Sequence, residues 1–169
     1  NLLEKTPKKF ENLKNIQKIF AHCYFDSNQT DELFKRLASR SNVDYSRYFF
    51  FHANYLISKN KEEKAKKILE TSLNLHPKNL ILNQLKIDLQ QRDEFKNKFD
   101  CKDSSHVVAE ILYIVANGLA SQRNYITSNF YLNLAKHLNP NFTSFKTSQA
   151  EIFFNTNRYN EAKKIYLNM

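Results

Sequence analysis

Small residues recur at a fixed interval in this chain, and that interval constrains the fold more than any other feature. Ala53 is followed after 12 residues by Ala65, and after 12 more by Pro77. Ala116, Ser128 and Pro140 repeat the same spacing, and Ala150 and Ala162 repeat its first step. Ala116 and Ala150 are 34 residues apart. A small residue on each of two antiparallel helices lets their backbones approach closely, and larger residues fill the space around them. Phe49, Leu56 and Leu69 take that role in the first copy, and Leu112, Leu119 and Leu132 in the second. Pro77 and Pro140 close the hairpins, because proline cannot continue a helix and restricts the residue before it. Asn60 with Glu63 forms the N-cap pattern expected at the second helix of its copy, and Asn124 opens the matching helix in the next.

The rest of the chain agrees with an all-helical protein. One glycine and three prolines among 169 residues are too few for the turns of a strand-rich fold. Hydrophobic residues make up 41%, enough to fold. The formal net charge of +9 comes from 20 Lys and 6 Arg against 17 acids, alongside 21 Asn. Lys, Asn, Ile, Phe and Tyr share A/T-rich codons, and nucleic-acid readers lean on Arg, so the charge reads as a solvated, compositionally biased surface. The longest strongly apolar run, Val107 to Ala120, is too short to span a membrane and contains Glu110. Cys23 and Cys101 lie far apart without a C-x-x-C pattern and read as free thiols, partly buried. No signal peptide is visible. The chain opens on Asn1 rather than Met, so an upstream segment is expected and localisation, cytoplasmic or periplasmic, stays unread.

The closing stretch "AEIFFNTNRYNEAKKIYLNM" carries a more specific likeness. Ala150, Phe153, Tyr159, Ala162 and Tyr166 fill the small-x-x-aromatic, then Tyr-x-Glu-Ala-x-x-x-Tyr pattern. "SLNLHPKN" and "AKHLNPNF" look like repeat ends. Together these resemble the tetratricopeptide repeat (TPR) family, whose 34-residue unit is a helix–turn–helix. Two family features are absent: the early tryptophan is replaced by Phe49, Leu112 and Lys146, and the first small position is alanine in place of glycine. "DYSRYFFFHANYL" and "VVAEILYIVANGLASQ" also look like segments of alphaproteobacterial TPR-array proteins.

The resemblance implies a right-handed α-solenoid of antiparallel hairpins. Its expected segments are a degenerate hairpin over 1–45, repeats over 46–79, 109–142 and 143–169, and a divergent, shortened repeat over 80–108. In the degenerate hairpin Phe20, Tyr24, Leu33 and Leu37 fall at helical spacing. In the divergent one a first helix is expected from Leu80 to about Arg92, then an irregular stretch through "DEFKNKFDCKDSSH". The step from Ser46 to Ala109 is 63 residues, about five short of two full repeats. The last helix lacks a proline, glycine or polar cap, so the array is expected to be cut inside a repeat, with the apolar edge around Ile165 and Tyr166 either continuing in the full-length protein or covered by self-association with another copy.

In the TPR family the first helix of each repeat lines a concave groove that binds extended peptides. Carried over by position, that groove is lined by Phe50, Asn54, Ile57 and Ser58, by Tyr113, Asn117, Ala120 and Ser121, and by Thr147, Glu151, Phe154 and Asn155. Asn54 and Asn117 hold equivalent places, and an Asn amide both donates to and accepts from a peptide backbone. Such a ladder resembles the groove of protein O-GlcNAc transferases; Glu151 breaks it in the last copy. Phe50, Ile114 and Ser148 stand where a carboxylate clamp for chaperone peptides would need polar residues. Phe50, Tyr113 and Phe154 favour an apolar or aromatic anchor instead, unless neighbouring repeats bury them.

Catalytic signals are missing. A single glycine excludes phosphate-cradling and dinucleotide loops. The five histidines show no metal-binding spacing, so neither a metal nor a cofactor is expected. His52 is expected to pack on its helix, and His76 and His137 to face solvent. The leading expectation is a protein-binding scaffold that takes an extended peptide or a partner helix. The alternatives are the recognition arm of a larger enzyme, such as a glycosyltransferase, and an RNA-binding helical repeat.

Overall fold

The computed structural model describes residue 7 and residues 10–38, 44–91 and 95–168. Residues 1–6, 8, 9 and 39–43 of the 1–45 hairpin, Arg92 to Glu94 and Met169 lie outside them. Every regular element among the described residues is a helix: α1 Glu11–Tyr24, α2 Thr30–Ala38, α3 Ser46–Ser58, α4 Glu62–Leu75, α5 Leu80–Gln91, α6 Ser104–Ser121, α7 Tyr125–Leu138, α8 Ser144–Asn155 and α9 Tyr159–Leu167. The protein is all-α. None of these helices is long and apolar enough to cross a membrane.

Four of the helix ends share one turn. Asp26, Asn60, Arg123 and Asn157 adopt positive φ, between 55° and 61°. The next N–H in each case reaches back five residues: Ser27 to the carbonyl of His22, Lys61 to Leu56, Asn124 to Leu119 and Arg158 to Phe153, at 2.8–2.9 Å. The positive-φ residue itself donates to the carbonyl three before it. This is the Schellman arrangement, which satisfies the last carbonyls of a helix that would otherwise lack donors. Asp26 and Asn60 are 34 residues apart, as are Arg123 and Asn157. The turn therefore carries the period into α1, where the small-residue spacing does not. Asn60 is this left-handed residue and not an N-cap: α4 begins at Glu62, with Lys61 before it. Asn tolerates φ > 0 because its short polar side chain bonds locally. Asn124 does cap α7, accepting from Thr127 N–H at 3.4 Å. His76 and Asn139, each before a proline, leave the helical region with ψ of 62° and 79° and end α4 and α7.

The chain forms two compact units. The first comprises residues 1–95 and 99–103, the second 96–98 and 104–169. In the first, α2 packs on α1 and α3, α3 on α4 and α5, and α4 on α5. Ala53 and Ala65 are fully buried. The core is aromatic: Phe20 lies 5.3 Å from Phe51 and 6.2 Å from Tyr48, ring centre to ring centre. Phe99, from the non-helical segment after α5, adds a ring 4.5 Å from Phe51 and 5.5 Å from Phe20. Phe20 and Phe51 are buried, and each side chain so buried contributes about 1.5–3 kcal/mol.

Cys23 and Cys101 are not free thiols but form a disulfide, with their Cα atoms 5.8 Å apart. Their separation of 78 residues hid the pairing, because spacing alone does not show which side chains a fold brings together. The bond ties the end of α1 to the segment that follows α5, within the first unit.

In the second unit α6 packs on α7 and α8, and α8 on α7 and α9. Ala116, Ala150, Ala162 and Ser128 are all buried. Ser128 Oγ donates to the Ala116 carbonyl at 2.7 Å, so the small pair is in direct contact. Asn97 forms a single antiparallel bridge with Phe142, and its Oδ1 accepts from Ser144 N–H at the start of α8.

Candidate functional site

Asn54, Ile57 and Ser58 are spaced i, i+3, i+4 on α3 and so share one helix face. In the first unit that face lines a cavity of about 280 Å³. Phe34 of α2 and Phe51 and Tyr55 of α3 supply further walls. The remainder is the non-helical segment, through Phe95, Phe99, Asp100 and Cys101, with Cys23 beside its disulfide partner. Small-molecule pockets run from roughly 300 to 1,000 Å³, so this volume suits one large side chain better than a cofactor. Among the described residues five aromatic rings contribute to the lining and no Lys or Arg does.

The polar groups are few and placed. Among the described residues, the buried Asn54 Nδ2 has no hydrogen-bond partner. A buried, unsatisfied amide donor costs about 1–3 kcal/mol, and Asn54 is one of the residues that line the cavity. Ser58 Oγ is already committed to the Tyr55 carbonyl at 2.8 Å. The Asp100 carboxylate accepts from Lys102 N–H at 2.8 Å.

Ion pairs join residues that neighbour Ser58 and Cys101 in sequence. Asp26, in the turn after α1, pairs with Lys59 at the end of α3, and Lys102 Nζ lies 3.4 Å from Asp26 Oδ2. The hydrogen bond from Lys59 lowers the Asp26 pKa below the usual carboxylate value, with Lys102 adding to it. Behind the wall, His52 is buried, its ring stacked on Phe34 at 5.1 Å and its Nε2 2.6 Å from Asp31 Oδ1. Burial lowers the His52 pKa, with Asp31 opposing. For Asp31, burial pushes the pKa up, but hydrogen bonds from Lys35 and His52 outweigh it and the net shift is downward.

The sequence-expected groove residues divide. Asn54, Ile57 and Ser58 meet at the cavity. Phe50 does not: it is 1% exposed, set edge-on to Phe51 at 5.4 Å, and belongs to the core. It follows Phe49 on a helix whose aromatic run turns most of its rings inward, so position in a repeat does not show which ring stays outside. In the second unit Tyr113 packs beside the core formed by Ala116, Leu132 and Ile152, and its hydroxyl accepts from Ser148 at 3.3 Å. Ala120 also packs there, and Thr147 is partly buried. Asn117, Ser121, Glu151 and Asn155 are exposed, and Phe154 is 59% exposed with its ring against Tyr159 at 5.4 Å. His76 is partly buried beside Phe49, and His137 is exposed. Lys163 and Lys164 are exposed on α9.

Sequence reasoning missed Phe95, Phe99, Asp100 and both cysteines as site residues. The available signal was two phenylalanines and a cysteine inside an otherwise polar run. Among the described residues no group of three or more His, Cys, Asp or Glu is placed to hold a metal ion. No family model matches the chain, and no curated protein matches it.

Proposed function

We propose that this chain is a protein-interaction module of TPR-type helical hairpins, arranged as a right-handed α-solenoid, that holds an extended peptide on the first-helix face of α3. The observation that carries the reading is the unpartnered Asn54 amide beside an aromatic cavity the size of one side chain. An apolar or aromatic residue of the peptide fills the cavity, and a backbone carbonyl of the same peptide accepts from Asn54 Nδ2. Burying such an anchor gains roughly 1.5–3 kcal/mol, and the hydrogen bond adds about 0.5–1.5 kcal/mol. Shape and a backbone contact then select the partner.

Support for the TPR reading is the pairing of two independent periodic features. The Schellman turns recur with steps of 34, 63 and 34 residues, and Ala53, Ala116 and Ala150 are separated by the same 63 and 34. RNA binding draws no support from this site, whose described walls carry no cation to meet phosphate.

Selection of a random linear-peptide display library against the oxidised protein tests the proposal. Enriched peptides should share one large apolar or aromatic residue, and their binding should perturb the NMR signals of Asn54 and Ile57. Enrichment of no common residue, or perturbation confined to other faces, refutes it.

A further inference from the structure

A second cavity of the first unit lies between α1 and α2 and shares no lining residue with the one on α3. It measures about 180 Å³ and is lined by Asn15, Lys18 and Ile19 of α1 and by Leu33, Arg36 and Leu37 of α2. We infer that it is a binding site for a small carboxylate with a short hydrocarbon chain. Asn15 Nδ2 donates to the carboxylate, Lys18 and Arg36 supply the opposing charge, and Ile19, Leu33 and Leu37 receive the hydrocarbon.

Each helix contributes residues at i, i+3 and i+4, the spacing that puts side chains on one face. α1 and α2 pack against each other, so the two triplets meet. Ile19 and Leu37 are buried, Leu33 is half-buried, and Lys18 and Arg36 are exposed. The lining therefore grades from hydrocarbon to cation, which matches a carboxylate that ends a hydrocarbon chain. Among the described residues no Asp or Glu lines the cavity, so an anion entering it meets no like charge there. Small-molecule pockets run from roughly 300 to 1,000 Å³, and this smaller volume restricts the occupant to a short chain.

Asn15 supplies the observation that points to a ligand. Among the described residues its buried Nδ2 has no hydrogen-bond partner. A buried donor left unsatisfied works against folding, and the repeat does not require an amide at this place. One 34-residue period later Phe49 and His52 stand where Asn15 and Lys18 stand, and Lys67, Glu70 and Thr71 where Leu33, Arg36 and Leu37 stand. The combination of an amide, two cations and three aliphatic residues is thus particular to the first hairpin. Lys18 has no ion-pair partner among the described residues. Arg36 Nε pairs with Glu32 Oε1 at 3.1 Å, and both side chains are exposed. Solvent screens that pair, and Glu32 offsets part of the Arg36 charge, which leaves Lys18 as the main cation. The site asks only positive charge of Arg36. A hydrogen bond from the Asn15 amide to an ionised carboxylate is stronger than one to a neutral acceptor, so charge and donor act together.

The test is an NMR titration of the full chain with pentanoate, and with pentanamide, acetate and inorganic phosphate as controls. Pentanoate should give saturable shifts of the Asn15 side-chain amide and of the Ile19 and Leu33 methyl groups. Pentanamide lacks the charge, and acetate and phosphate lack the hydrocarbon; each should bind about tenfold more weakly or worse. Lys18→Gln and Asn15→Leu should each weaken pentanoate about tenfold, the loss of one charge-assisted hydrogen bond, without lowering Tm. If Asn15→Leu does lower Tm, the exposed Lys18→Gln decides alone. Absence of saturable shifts at Asn15, Ile19 and Leu33 overturns the inference. So does pentanamide, acetate or phosphate binding as tightly as pentanoate, or a Lys18→Gln variant with wild-type affinity.

Discussion

Ser128 Oγ donates to the Ala116 carbonyl at 2.7 Å, joining α6 to α7 where both residues are fully buried. A contact that short between a side chain and a neighbouring helix backbone leaves no room for a longer residue. Ala116→Leu should overpack it and cost about 1–3 kcal/mol, read as a lower denaturation midpoint. An unchanged midpoint would contradict the close-packed pair.

The four Schellman turns differ in how well their residues suit φ > 0. Asp26, Asn60 and Asn157 tolerate it, while Arg123, at φ 61°, has a longer side chain without that local bonding. Arg123→Gly should relieve the strain and, after glycine's entropic cost, stabilise by about 0.5–1 kcal/mol. A thermal melt of the variant checks this, and a lower Tm would count against it.

His52 gives the first unit a pH dependence with a definite sign. Burial lowers its folded pKa below the unfolded value of about 6.5. Below that value the unfolded chain binds more protons, so stability is fully present above about pH 6.5 and is lost as pH falls through the folded pKa. The neutral ring, with Nε2–H donating to Asp31, is the form that fits. Urea midpoints between pH 7.5 and 5 should fall in the wild type, and His52→Gln should flatten the slope over that window.

The disulfide closes a 78-residue separation. Constraint of the unfolded chain over such a loop is worth about 4–5 kcal/mol on the chain-entropy account. Reduction should lower the first unit's unfolding free energy by that order, measured by urea denaturation with and without reductant. A shift under 1 kcal/mol would mean the reduced unfolded state is already restrained.

Much of the architecture is legible in the sequence because its causes are local. Pro77, Pro140, Asn124 and the 12-residue alanine spacing each act within one hairpin, and the helices follow them. The first hairpin is harder to read, since Ile19 and Asp31 stand where Ala53 and Ala65 stand one period later. Its shared feature is a backbone conformation at Asp26, which many residue types can adopt. The site is legible by half. Asn54, Ile57 and Ser58 follow from helix register, but the facing wall depends on Cys23 meeting Cys101 and on Phe99 folding back onto Phe51. Those are long-range contacts without periodicity. Phe50 shows the converse limit, since register placed it in the groove and the aromatic packing of α3 took it into the core.

Asn54 offers the most direct measurement. Among the described residues its amide nitrogen has no partner, so Asn54→Ala removes no hydrogen bond and should leave Tm unchanged or slightly raised. The same substitution should weaken a display-selected peptide about five- to tenfold, the loss of one hydrogen bond worth about 1–1.4 kcal/mol. Isothermal titration of wild type and variant with that peptide, alongside their thermal melts, reads both quantities. Weakened binding at undiminished stability is the predicted result. Equal affinity, or weakened binding accompanied by a lower Tm, would contradict the claim that this face of α3 grips a partner's backbone.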